Sequence, residues 1–222
     1  MNTNLVIIPA RGRPDKAQVA FDALKEHSVI SDLLIGLDDD DADNYPEMEG
    51  VIREVNPRLR MNGTLNLLVK KYQDKYETIS FMGDDHIVRT AEWDKKLYEP
   101  IRNRGYGISY GNDLFQGENL PTMVMMSTNI SKELGFFAPP RLIHLYMDNF
   151  WKLFGQVLSC LDYNPDVIVE HMHYMAGKSK VDAQYQEVNS SEIGNHDAEA
   201  FREYCTHQLK EDAIRVMMKV SQ

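Results

Sequence analysis

The stretch FMGDDH, residues 81 to 86, sets Asp84, Asp85 and His86 directly behind an apolar run and a glycine. Carboxylate oxygens suit hard divalent cations and Mn2+ also accepts imidazole, so these groups on a tight turn could hold an ion with positions left open for phosphate oxygens. Acidic residues and glycine also close strands without any ligand, and His86 could simply cap the next element. Three adjacent ligands encircle an ion poorly, so a further one has to come from elsewhere. The segment EHMHY offers it: at strand period His171 and His173 face one way and Met172 the other. An isolated pair of this kind is more often structural. Here the spacing fits one histidine on metal and the other on phosphate or fixing the loop, with His171 preferred on the metal.

Other residues could take part in a transfer at such a centre. If the metal holds a diphosphate leaving group, Asp148 in HLYMDNFW could take the proton from an acceptor hydroxyl, with Asn149 and Trp151 beside it. It could equally cap a helix, a role worth about 1 kcal/mol. Arg11, Arg13 and Lys178 are candidates to meet phosphate oxygens, since a planar guanidinium matches phosphate geometry, although each could be a solvated surface cation. Asn112 and Asp113 in YGND sit where an acceptor could bind, and a turn is the commoner reason for such a pair. In the run Asp38 to Asp41, only Asp38 or Asp39 is expected to touch a nucleoside.

These groups lie far apart in the chain, so a sheet has to gather them. LVIIPA (5 to 10), SDLLIGL (31 to 37), VIREVN (51 to 56) and ETISFMG (77 to 83) read as strands, with helical spacing from Asp15 onward and from Thr64 to Tyr76. This alternation predicts an α/β fold with a mostly parallel central sheet flanked by helices, in which ligands gather beyond the carboxyl ends of the strands. Further on, 105 to 113, 120 to 128 and 166 to 174 read as strands, 142 to 158 as a helix, and about 190 to 222 as one long terminal helix.

With 222 residues and 43% apolar composition, the chain can bury a substantial core as a single domain, 1 to 222. The formal charge of −10 argues against a generally basic nucleic-acid surface and leaves room for a local basic face. Cys160 and Cys205 form no metal-binding pattern and read as reduced thiols. With no leader and no run of 18 apolar residues, the expectation is an unprocessed, soluble, cytoplasmic protein with no membrane partner.

In this order the motifs resemble those of GT-A type glycosyltransferases, of the family-2-like kind with a DxH metal motif. The resemblance covers roughly residues 5 to 180. It implies a Rossmann-like nucleotide-diphospho-sugar transferase fold. Asp84 would lie near ribose and metal, and His86 would bind the metal directly. IIPARGRP would supply Pro9, Arg11 and Arg13 to the donor, Asp38 and Asp39 would meet nucleobase and ribose, and NGTLN would start a helix carrying Asn66. AEWDKKL resembles the element that follows the acidic motif, LGFFAPPRLIHLYMDNFW the acceptor-side loop with a catalytic carboxylate, and EHMH the late histidine on metal or diphosphate. The chain is most similar to small glycosyltransferases encoded by bacteriophages, some of which decorate hydroxylated bases in viral DNA; the location would then be the host cytoplasm.

The resemblance thus implies transfer of a hexosyl or pentosyl unit from a UDP-type donor to a hydroxyl acceptor, with Mn2+ or Mg2+ as cofactor. With Asp148 as base, the reaction would invert the anomeric carbon. A nucleotidyltransferase acting on a sugar phosphate would share strand order and metal, yet would need a glycine-rich basic loop where this chain has only Gly12. A non-catalytic nucleotide-sugar-binding module is the remaining alternative.

Overall fold

The computed structural model describes residues 3–220. The apolar runs form β1 (Asn4–Ala10), β2 (Ser31–Asp38), β3 (Val51–Asn56) and β4 (Thr78–Phe81). Their alternate side chains serve two cores. Leu5, Ile7, Leu34 and Ile79 face one side of the sheet, and Val6, Ile8, Leu33 and Ile35 the other. The helices α1 (Pro14–His27) and α3 (Trp93–Arg104) supply Phe21, Leu24, Trp93 and Leu97 to the second core. The first core is covered by α2 (Arg60–Tyr72), α4 (Thr128–Leu134), α5 (Met147–Val157), α7 (Ser191–His207) and α8 (Leu209–Val220). Between β8 (Leu161–His171) and α7 lies a two-turn helix, α6 (Ala183–Val188).

The sheet has eight strands in the order β3-β2-β1-β4-β7-β6-β8-β5, where β5 is His86–Val88, β6 Ile108–Asn112 and β7 Val124–Ser127. It is a mixed sheet, which corrects the expectation of a mostly parallel one. Pairings β1/β2, β1/β4, β2/β3 and β6/β8 are parallel, whereas β4/β7, β6/β7 and β5/β8 are antiparallel. The reversed strands β5 and β7 are four residues or shorter, and so short an apolar run carries no sign of its direction.

Other boundaries differ from the sequence reading for physical reasons. The helix expected over 142 to 158 starts at Met147, because the carboxylate of Asp197 captures the N–H groups of Ile143, His144 and Leu145 at 2.7–2.9 Å and Tyr146 turns left-handed at φ 65. The terminal helix is two helices, broken at Gln208 and tied together by Tyr204 donating to Asp212 at 3.0 Å. The second helix begins at Arg60 rather than Thr64, and the late strand runs from Leu161 to His171, after which Tyr174–Ala176 coils into a 3-10 turn.

Candidate functional site

Strand direction does the gathering. Because β1, β2, β4, β6 and β8 all run the same way, Arg11 to Arg13, Asp38, Asp84 with Asp85, Asp113 and His171 follow or end strands on one edge of the sheet. The reversed β5 starts on that edge, which places His86 opposite His171 in the register. A cleft there is lined by Arg13, Asp38, Asp85, His86, Asp148 and His171 among others.

Asp85, His86 and His171 offer one ligand atom each, all within 4.8 Å of one another. Asp85 Oδ1 lies 3.5 Å from His86 Nδ1 and 3.5 Å from His171 Nε2. Donor atoms ~2.1 Å from one ion are about 3.0 Å apart at 90° and about 3.5 Å apart at 110°, so a small closing of these separations fits the residues to a divalent ion. One carboxylate with two imidazoles suits Mn2+ better than Mg2+, which demands oxygen ligands. The imidazole rings stack with centroids 4.2 Å apart. His86 is buried and accepts from Gly83 N–H at Nδ1 (3.1 Å), a bond that an ion at Nδ1 would replace, while its Nε2 faces the Thr122 hydroxyl at 3.4 Å. Burial, and then the neighbouring His171, lower its pKa and keep it neutral.

His171 is the opposite case. Burial opposes its charge, yet Asp113 and Asp85 outweigh that and raise its pKa to about 9. Its Nδ1 is buried and has no hydrogen-bond partner among the described residues, since Asp113 Oδ2 stands 3.7 Å away. Asp113 is itself fixed: Oδ1 accepts the N–H groups of Phe115, Gln116 and Gly117, and Oδ2 accepts the Thr122 hydroxyl at 2.8 Å. Burial also opposes ionisation of Asp85, but the two histidines hold its carboxyl well below the usual range.

Beside this trio stands Arg13, whose Nη1 meets Asp84 at 3.2 Å and Nη2 meets Asp182 at 2.6 Å. Asp84 is outside the trio; burial, and then Asp85, push its pKa up to about 7. Across the cleft, half-buried Asp148 lies in the first turn of α5, where its Oδ1 accepts Asn149 N–H at 2.8 Å. Burial raises its pKa.

Of the other expected site residues, some are engaged elsewhere and some line the cleft. The amide of Asn66 is used by the backbone: Oδ1 accepts from Phe137 and Ala138, and Nδ2 donates to the Ala138 carbonyl. Lys178 pairs with Glu170 at 2.9 Å, Asn112 accepts Leu114 N–H in an Asx turn, and the side chain of Asp39 is exposed. Trp151 is a 1% exposed core residue whose indole donates to the Phe137 carbonyl, and it contributes to the cleft floor. Pro9 lines the cleft, Arg11 pairs with Asp38 and Asp40, and His173 lines the cleft while stacking on Phe115 at 5.5 Å. Sequence reasoning missed Asp182, Tyr185, Arg58, Arg60 and Thr122. The only local signal among them was Asp182 as the N-cap of α6.

In fold the chain is similar to solved structures of nucleotide-diphospho-sugar glycosyltransferases. No family model matches the chain, and no curated protein matches it in sequence. The structure of S. aureus TarS residues 1–349 in complex with UDP-GlcNAc superposes with a TM-score of 0.58 at 12% identity, covering 92% of this chain and 73% of that one. The mannosyltransferase PcManGT from Pyrobaculum calidifontis in complex with GDP-Man and Mn2+ gives 0.57 at 11% identity, covering 98% and 74%. Against the longer S. aureus TarS structure the score is 0.57 at 12% identity, and this chain spans 44% of that chain's length. Among the described residues no helix is long and apolar enough to cross a membrane.

Proposed function

We propose that the protein is a metal-dependent glycosyltransferase that moves a sugar from a nucleotide-diphosphate donor, a UDP-sugar, to a hydroxyl acceptor. The observation that carries this reading is the fit of the Asp85–His86–His171 trio to one divalent ion, in a cleft it shares with Arg13 and Asp148. The neighbours with this fold support it, since one is in complex with UDP-GlcNAc and another with GDP-Man and Mn2+.

In this mechanism bound Mn2+ would supply Lewis-acid stabilisation to the departing diphosphate. Asp85, His86 and His171 would hold the ion, with Asp113 beside His171 as a countercharge. Arg13 presents its fork to phosphate oxygens. Asp148 takes the proton of the acceptor hydroxyl at its carboxylate, and attack from that side inverts the anomeric carbon. For the acceptor we propose a hydroxylated base in phage DNA. The unpaired thiols Cys160 and Cys205 support a cytoplasmic setting.

Calorimetric titration of UDP, GDP and CDP, each with and without Mn2+, tests the donor site. One nucleotide should bind only with metal, and absence of binding by all three would sink the reading. Asp148→Asn should then leave that binding unchanged and lower turnover about 10²- to 10⁴-fold. Equal loss of binding in this variant would return Asp148 to a structural role.

A further inference from the structure

The segment between β8 and α7 places its own polar groups on the cleft's working side chains. Asp182 Oδ1 sits on Arg13 Nη2 at 2.6 Å and its Oδ2 on Lys16 Nζ at 3.1 Å. Glu187 bridges Arg58, at 2.5 Å, and Arg60. The Tyr185 hydroxyl donates to Asp85 Oδ2, and its ring lies 4.1 Å from the Arg13 guanidinium. Arg11, the fourth arginine of the cleft, is held by Asp38 and Asp40. Every arginine lining the cleft therefore already carries a carboxylate, and for three of them part or all of it comes from this one segment.

We propose that residues 178–189 form an internal competitor, in which Asp182 and Glu187 stand on the cations that an anionic ligand uses and must release them before a nucleotide diphosphate binds. This rests on the donor reading above. Two features suit the segment to that task. Asp182 also caps α6 by accepting Tyr185 N–H at 2.9 Å, so local structure fixes where its carboxylate is presented. The segment is lightly anchored: in α6 only Tyr185 and Val188 are buried, while nearby Val181 is 54% exposed. Segments with few buried apolar contacts open at low free-energy cost.

The test uses the full chain. Asp182→Asn with Glu187→Gln removes both charges, and asparagine keeps the helix cap. In titrations with UDP plus Mn2+ the double variant should bind about tenfold tighter than wild type. Hydrogen exchange should show the 178–189 amides losing protection when UDP and Mn2+ are added to wild type. If wild type binds and the variant binds equally or more weakly, or if those amides gain protection, the segment holds the ligand and the competitor role is wrong while the donor reading stands. If neither protein binds any nucleotide with or without metal, both fall.

Discussion

At the scale of single residues, the site turns on which carboxylate faces inward. The order Asp84-Asp85-His86 was plain in the sequence, and so was the expectation that a further ligand must come from elsewhere. The division of labour was not. A turn sends adjacent side chains in directions that spacing cannot reveal, and here Asp85 joins the histidines while Asp84 meets Arg13. Asp85→Asn should therefore weaken Mn2+ binding by about 100-fold or more, beyond what loss of a group behind a ligand costs, and Asp84→Asn should weaken it by no more than about 10-fold. His171 adds a pH signature. Its pKa near 9 means that the metal-free site holds a proton at neutral pH. An ion must displace that proton, so Mn2+ affinity rises with pH until about 9 and then levels off. Calorimetry in two buffers of different ionisation enthalpy at pH 7 should show release of about one proton per Mn2+. Uptake, or no exchange, would remove His171 from the ligand set.

At the scale of elements, the strands that deliver the site could be read from their apolar runs, because burial on both faces writes itself into composition. What could not be read depends on contacts between distant parts of the chain. The start of α5 is the clearest instance. Asp197 on α7 is fully buried and accepts three backbone N–H groups of the 143–145 loop. Asn62 on α2 grips the other end through the Pro139 and Leu142 carbonyls, both at 2.8 Å. Between them they fix the turn at Tyr146 from which Asp148 projects, so α7 belongs to the positioning of Asp148. Asp197→Ala leaves those N–H groups unpaired and should cost about 3 kcal/mol in urea unfolding, with Asp197→Asn costing about half as much because one acceptor oxygen remains. Turnover in the asparagine variant should fall while Mn2+ affinity holds, since Asp85, His86 and His171 lie on β5, β8 and the turn between β4 and β5, which Asp197 does not touch. Parallel loss of both would mean that α7 supports the molecule generally.

At the scale of the whole molecule, charge sets the terms on which an acceptor can be met. A formal charge of −10 repels polyanions at long range, and the cleft's own acidic groups add to it locally. The cations exposed to a large partner at the cleft are Arg58 and Arg60, with side chains 32% and 42% accessible, and both rest on Glu187. Arg11 is committed to Asp38 and Asp40, and Arg13 is buried against Asp84 and Asp182. A DNA acceptor would thus be held through its modified base and no more than a pair of phosphates. Each neutralised phosphate contributes about −0.9 to the slope of log affinity against log salt, so binding to duplex DNA carrying a hydroxylated base should show a slope near −2. The steep slopes of about −6 to −10 typical of broad backbone contact would require a basic face that this charge distribution does not provide. Titration of such a duplex between about 50 and 200 mM salt separates the cases. A slope near −2 supports a base met singly in the cleft. If no binding occurs even at the lowest salt, while UDP with Mn2+ still binds, the acceptor hydroxyl belongs to an uncharged partner such as a saccharide.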